Sequence, residues 1–367
     1  MMKRKVSKMK KQWPLDTTVS FDPYFGEPGR DGDQGYEINA DGTVKIRIKA
    51  PNAKEVVIDM FGTIFPFEKV SDEMWEGIFD LGRGFKYFFL KIDGNEVLNP
   101  YLPIGYGCCR PMNFMDIPVP GEEEWDDLSD VPHGSVTRHY YPSSLTGKLE
   151  ICLVYTPANY DPAKKYPVLY LQHGYGENET GWVFQGHAAR IADRLLHDGQ
   201  MTEMIIVMGN GMVQCDDPKK RFGLFTEVII TDLIPFIESK YSVYTDKWHR
   251  AMAGLSMGSY QTSIVTMTNP DKFGYAGVFS GFMRMPRSGN PETHLAILDD
   301  AEKFNESYKV FYRAMGTEDN YFQAFVDDDA MLAEKQPLNI TRRLFPGGHD
   351  WSVWRRCIHD FLPLIFK

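Results

Sequence analysis

The sequence predicts a two-part α/β protein, in which a small all-β sandwich precedes a domain built on a mostly parallel sheet. Three observations carry this. Between residues 36 and 118, short runs alternate apolar with charged residues at a period of two and show no helical period. Beyond residue 134, continuous apolar runs alternate with helical stretches of ten or more residues, the pattern of βαβ units. Residues 119–134 separate the two with an acidic, proline-bracketed stretch.

Taken in order, residues 1–35 form an N-terminal extension with six Lys/Arg between Met1 and Lys11. Val44–Ile48 alternates as a half-buried strand should, and Val56–Met60, Trp75–Phe79 and Phe85–Ile92 follow, with a tight hairpin at Asp93-Gly94-Asn95. Strands at this spacing predict an immunoglobulin-like sandwich over 36–118. Pro118, Pro120 and Pro132 then bracket Glu122, Glu123, Glu124, Asp126, Asp127 and Asp130, a solvated linker over 119–134. From 135 to 367 the predicted strands are Leu149–Tyr155, Val168–Leu171, Met204–Met208, Ala251–Ala253, Ala276–Phe279, Lys309–Ala314 and Thr341–Phe345. The predicted helices are Ala188–Leu196, Glu227–Ser239, Met257–Thr268 and Trp351–Ile365. Strands such as Val168–Leu171 are apolar throughout, as strands buried on both faces must be.

Composition narrows the function classes. With 367 residues, 43% of them apolar, the chain is long enough for about two domains with their own cores. Forty basic and 50 acidic residues give a net charge of −10, which argues against a nucleic-acid partner. No window approaches the ~18 apolar residues of a membrane span, so no membrane partner is expected. Cys108, Cys109, Cys152, Cys215 and Cys357 are odd in number and lack zinc-site spacing. With no secretory leader pattern, a cytoplasmic location is expected, or export if a signal has been removed. A homodimer is compatible with the sequence.

The most informative segment is Gly254-Leu255-Ser256-Met257-Gly258, a G-x-S-x-G motif entered by an apolar strand and left by a helix. A serine on so sharp a turn leaves no room for side chains two residues to either side, and the turn lifts its hydroxyl above the sheet edge. The N–H of Met257 at the helix start is then a candidate oxyanion donor. Serine needs a base and the base an orienting acid, in the chain order Ser, Asp/Glu, His for this fold. Of nine histidines, two follow the last plausible strand; His359 falls within the predicted closing helix, and His349 alone lies in the turn Pro346-Gly347-Gly348-His349-Asp350. The turn after Val310–Ala314 offers two adjacent carboxylates, with Asp319 the choice and Glu318 in reserve. The second oxyanion donor is assigned to the N–H of Tyr175, in the glycine-rich turn after Val168–Leu171. No cofactor is implied, and no metal-binding pattern is present.

These segments carry a resemblance. His173–Trp182, Gly254–Gly258 and Gly347–Arg355 look like the esterase D-like carbohydrate esterases, a group that includes feruloyl and acetyl xylan esterases. Gly316-Thr317-Glu318-Asp319 resembles the family's acid-bearing turn, where the aspartate comes last. The N-terminal part resembles the immunoglobulin-like, glycogen- and starch-binding-like module that precedes many such esterases, and Asp130–Gly134 looks like the junction. Ser259 departs from the glycine the family often has there. The resemblance implies an α/β-hydrolase fold and an ester of a carbohydrate as substrate, with a feruloyl or related hydroxycinnamoyl group leading and an acetylated oligosaccharide or another small ester as the alternative.

Trp182, Phe184, Gln185, Phe282, Met283, Met285 and Trp351 are the candidate walls for a flat acyl group, each with loop packing as its competing role. Trp75, Tyr87 and Phe88 suit either a sugar platform or the sandwich core, and a structural role for the module, shaping the active-site rim, is expected. The reading from another class is a non-catalytic glycan-binding protein.

Overall fold

The computed structural model describes residues 34–367 apart from 123–124, 126–129, 218–219, 285–291 and 337. The N-terminal extension as far as residue 33, most of the acidic run and Met285 therefore lie outside the described residues. The chain divides into two compact units. The first takes residues 34–82 together with Lys86–Gly105 and Pro111–Ile117, and the second takes Arg83–Phe85, Tyr106–Arg110 and Pro118–Lys367.

The N-terminal strands are β1 (Gly35–Ile38), β2 (Val44–Lys49), β3 (Val56–Met60), β4 (Thr63–Pro66), β5 (Glu68–Lys69), β6 (Met74–Phe79), β7 (Gly84–Ile92), β8 (Asn95–Val97), β9 (Ile104–Gly107) and β10 (Arg110–Ile117). One sheet runs β1-β2-β6-β5 and the other β4-β3-β7-β10-β9, with β8 on β7. Alternation decides the faces. Val44, Ile46 and Ile48 are buried, while Lys45 and Arg47 turn outward, each 3.2 Å from Glu76 on the neighbouring strand. Trp75 and Phe88 belong to the core, and the Trp75 Nε1–H donates to Ala50 O at 2.9 Å, so neither serves as a sugar platform here.

The second unit holds β11 (Ser135–Pro142), β12 (Leu149–Thr156), β13 (Val168–Gln172), β14 (Ile205–Gly209), β15 (Arg250–Leu255), β16 (Tyr275–Phe279), β17 (Val310–Gly316) and β18 (Ile340–Phe345). They form one sheet in the order β11-β12-β14-β13-β15-β16-β17-β18. From β14 to β18 all neighbours are parallel; β11 and β12 are antiparallel additions at one edge. β13, β14, β15 and β16 are buried at every residue, as a parallel sheet covered on both faces requires.

The helices are α1 (Gly181–Phe184), α2 (Ala188–His197), α3 (Arg221–Val228), α4 (Ile234–Lys240), α5 (Met257–Thr268), α6 (Ala301–Ser307), α7 (Phe322–Ala333) and α8 (Trp351–Phe361). Val278 packs with Phe304 of α6, whereas its neighbour Phe279 meets Phe361 of α8, so successive side chains of one strand find helices on opposite faces.

Elements absent from the expectation include β1, β4, β5, β9, β10, α1, α6 and α7, and three further departures have a physical reason. The helix expected over Glu227–Ser239 begins at Arg221 and is interrupted by a π-helical turn at Ile229–Leu233. Pro235 lies two residues beyond it; proline has no N–H to give, and its ring crowds the carbonyl four residues back, within the turn, so the wider turn relieves the clash. The closing helix stops at Phe361 and tightens to a 3₁₀ turn at Leu362–Leu364, again around a proline. Strand β11 was not anticipated. It lies at the sheet edge with both Val136 and Tyr140 exposed, so no buried alternation marks it.

Candidate active site

Four loops meet at the C-terminal ends of β13, β15, β17 and β18, the end at which open α/β sheets place their ligands. Ser256 is the hinge between β15 and α5, with φ 51° and ψ −116°. Its neighbours explain why the chain tolerates this. A methyl on Gly254 would lie 2.5 Å from the Gly258 backbone, and one on Gly258 would lie 2.6 Å from His173 O, so both positions exclude a side chain. Ser256 N–H donates to Phe279 O at 3.0 Å, and the Ser259 hydroxyl donates to Ser256 O at 2.5 Å. Ser259, the departure from the family's glycine, thus holds the strained turn, and its oxygen also accepts the Phe282 N–H at 3.0 Å.

His349 reaches the serine from the turn between β18 and α8. Its Nε2 lies 2.9 Å from Ser256 Oγ and its Nδ1 2.8 Å from Asp319 Oδ2. Asp350, next in the chain, caps α8 by accepting from Ser352 N and Val353 N, which fixes where His349 emerges. The acid turn is locked to the histidine turn: Glu318 N donates to Gly347 O at 2.9 Å, and Gly316 has no room for a side chain beneath Gly347. The backbone settles the geometry of the two carboxylates, because Asp319 is 4% exposed and faces His349 while Glu318 points to solvent.

Asp319 also accepts from Tyr321 N at 2.9 Å and from the Ser280 hydroxyl. Burial alone would raise its carboxyl, but the hydrogen bond and charge of His349, helped by Tyr321 and Ser280, outweigh it and hold the group below the ordinary carboxylate range. Ser280 is wholly buried with φ 41°, and its oxygen accepts Trp354 Nε1–H at 2.9 Å. An ionised Asp319 fixes the proton of His349 on Nδ1, which leaves Nε2 free to take the proton of Ser256.

The turn after β13 borders the serine. A methyl on Gly174 would sit 3.4 Å from Ser256 Cβ, which brings the Gly174–Tyr175 peptide alongside the nucleophile, while Met257 N–H stands at the first residue of α5. Of the candidate acyl walls, most are interior. Trp182 is 1% exposed, donates its N–H to Gln172 O at 2.7 Å and packs edge-on against Trp351. Trp351 is equally buried, Met283 lies in a core cluster, and Gln185 is held by Tyr106 O at 2.8 Å. Phe282 is buried against Tyr321, and Phe184 is half-buried. The aromatics that are exposed beside the serine and histidine were not singled out as walls: the Tyr175 ring, and Tyr321, whose ring meets His349 edge-on at 5.0 Å. Their place in the chain was a usable sign, since one follows Gly174 and the other comes two residues after Asp319. Among the described residues no cluster of His, Cys, Asp and Glu is arranged to hold a metal ion, and no helix is long and apolar enough to cross a membrane.

Comparison with known proteins shows the family. The Esterase family model matches residues 143–364, well over half of the chain. The chain belongs to the esterase family. It is a carboxylic ester hydrolase of α/β-hydrolase fold. This esterase is 32% identical over 348 residues to an endo-1,4-beta-xylanase/feruloyl esterase of Xylanibacter ruminicola, covering 90% of the chain and 46% of the relative. The chain spans less than half the length of the xylanase relatives it matches. A mutant of the feruloyl esterase module of Clostridium thermocellum, complexed with sinapinate, is 25% identical with a TM-score of 0.54, covering 64% of this chain and 89% of that one. The enterobactin esterase of Shigella flexneri, at 14% identity, shares the fold over 88% of this chain and 92% of its own with a TM-score of 0.64.

Proposed function

We propose that the esterase hydrolyses hydroxycinnamoyl esters of plant cell-wall carbohydrate, feruloyl esters foremost, through Ser256, His349 and Asp319. The observation that carries the mechanism is the unbroken chain of hydrogen bonds from Ser256 Oγ through His349 to Asp319, at 2.9 and 2.8 Å. Ser256 attacks the ester carbonyl as His349 Nε2 takes its proton, and Asp319 holds the imidazole in the required tautomer and stabilises the imidazolium. The N–H groups of Met257 and Tyr175 receive the oxyanion. His349 next protonates the departing sugar oxygen, which leaves as a hydroxyl, and a water, deprotonated by the same imidazole, releases the acid from Ser256.

The acyl preference is supported by the similarity to a protein named as a xylanase/feruloyl esterase and to a feruloyl esterase module bound to sinapinate. Tyr175 and Tyr321, exposed at 72% and 47%, supply aromatic faces against which a flat acyl group can rest. The test is hydrolysis of methyl ferulate beside p-nitrophenyl acetate by wild type and Ser256→Ala. Ferulate turnover that disappears in the variant is expected. Turnover of acetate alone would move the substrate to an acetyl ester, and a variant as active as wild type would overturn the assignment of Ser256.

A further inference from the structure

We infer that His173 is a positioning residue of the oxyanion pocket, holding the Gly174–Tyr175 peptide so that the Tyr175 N–H faces the reacting carbonyl. The inference rests on the proposed roles of Ser256 and Tyr175. His173 is 1% exposed and lies outside the hydrogen-bond chain of Ser256, so it has no part in the proton transfers.

Its two ring nitrogens are assigned by their partners. Gly211 N–H donates to Nε2 at 2.9 Å, so Nε2 carries no proton; the proton is on Nδ1, which donates to Gly174 O at 2.8 Å. Burial pushes this imidazole down to about 4, so the ring keeps this neutral tautomer through neutral pH. The chain has no cis peptide among its described residues, and in a trans peptide the C=O and N–H point in opposite directions. Fixing the Gly174 carbonyl therefore fixes the Tyr175 N–H on the other side of the same plane. Glu177 N–H adds a second, longer bond to that carbonyl at 3.3 Å.

The network then closes on the other donor. Gly211 O accepts from Gln261 Nε2 at 2.9 Å, and Gln261 lies on α5, whose first residue presents the Met257 N–H. Three hydrogen bonds, from Gln261 to Gly211 to His173 to Gly174, thus tie both oxyanion donors to one helix. Tying the donors in this way lowers the reorganisation required when negative charge develops on the oxygen. A histidine suits the place because a single rigid ring accepts at one end and donates at the other.

The experiment separates those two ends in the full chain. Asparagine places its amide N–H near the Nδ1 position, and glutamine places its amide near Nε2. For His173→Gln, kcat is expected to fall about 10- to 100-fold with KM little changed, and affinity for an aromatic boronic acid, which forms a tetrahedral adduct on Ser256, should fall by a similar factor. His173→Asn should retain most of kcat and of boronate affinity. Gln261→Leu, two hydrogen bonds from His173, provides a milder variant in case the first two fold poorly, and should lower kcat several-fold without raising KM. Equal losses in Asn and Gln variants that track a fall in Tm, or a kcat loss with unchanged boronate affinity, would overturn the inference. Ser256→Ala run in parallel keeps the two levels apart. An active Ser256→Ala overturns the proposed site itself, whereas an inactive one beside a fully active His173→Gln overturns only the role of His173.

Discussion

Both units contain non-glycine residues at positive φ, and they put them to different ends. In the N-terminal sandwich, Phe61 (φ 52°) and Asp93 (φ 49°) sit in exposed hairpin turns, each followed by a glycine, Gly62 or Gly94, also at positive φ. That is the backbone a two-residue hairpin requires, and both turns stand at the surface, although the Asp93 carboxylate also accepts from Lys54 N and Glu55 N at 2.7 and 2.9 Å. In the second unit, Ser256 (φ 51°) and Ser280 (φ 41°) follow adjacent parallel strands and are held by hydrogen bonds in the buried interior, most of them to other loops and helices. Ser256 is fixed by Phe279 O and Ser259, and Ser280 by Trp354 and Asp319. Strain in an exposed hairpin makes a turn. Strain held by a buried hydrogen-bond network fixes where a reactive oxygen stands.

The sharpest way to break this comparison is at the acid. Asp319→Asn should lower kcat/KM on the order of 10,000-fold by losing control of the imidazole tautomer, whereas solvent-facing Glu318→Gln should stay within about twofold. Steady-state kinetics on one ester checks both, and a large loss at Glu318 would reverse the assignment.

Next comes packing against exposure. Trp182→Ala should destabilise the fold by about 3–5 kcal/mol in denaturant titration, because the ring is interior and its N–H is bonded to Gln172 O. Tyr321→Ala should leave stability nearly unchanged and raise KM for an aromatic ester more than for an acetyl ester. The opposite pattern would make Trp182 the acyl wall.

A third contrast uses glycines of the two kinds. Gly258→Ala brings a methyl into the His173 carbonyl, and is expected to cost about 1–3 kcal/mol and most of the activity, since the serine turn must shift. Gly94→Ala, with open space but φ 79°, should cost about 1–2 kcal/mol and leave kcat alone. Activity loss in Gly94→Ala would show that hairpin strain also matters to the site.

The smallest effect is in pH. His173 titrates at about 4 in the fold against an ordinary 6.5, so between those values the unfolded chain binds a proton that the folded chain refuses. Stability therefore falls as pH is lowered through that window. His173→Asn should lose that part of the slope when Tm is followed from pH 7 to 4, and an unchanged slope would contradict the neutral buried ring.

Much of this protein follows from chemistry that is local in sequence. Alternation in Val44–Ile48 and unbroken apolarity in Val168–Leu171 each assign a strand to an environment, because side chains two apart share a face. The G-x-S-x-G turn is equally local, since its crowding is between the chain and its own next few residues. Pro235 shows the limit even of local reading. The proline was visible, but a hydrophobic stripe on both sides masked the widened turn it imposes.

What only the tertiary structure decided are relations between loops that meet from separate strands. Adjacent Glu318 and Asp319 are equivalent in composition, and the bond from Glu318 N to Gly347 O is what turns one outward and the other to His349. Trp182, Met283 and Trp351 read as acyl walls because aromatic and thioether side chains suit a pocket and a core equally, and burial alone separates the two roles. His173, Ser259 and Ser280 look like ordinary turn residues, since a single polar side chain gives no sign of which distant backbone group it will hold. Periodicity and steric crowding are written along the chain, but hydrogen-bond partnership across a sheet edge exists only once the strands are side by side.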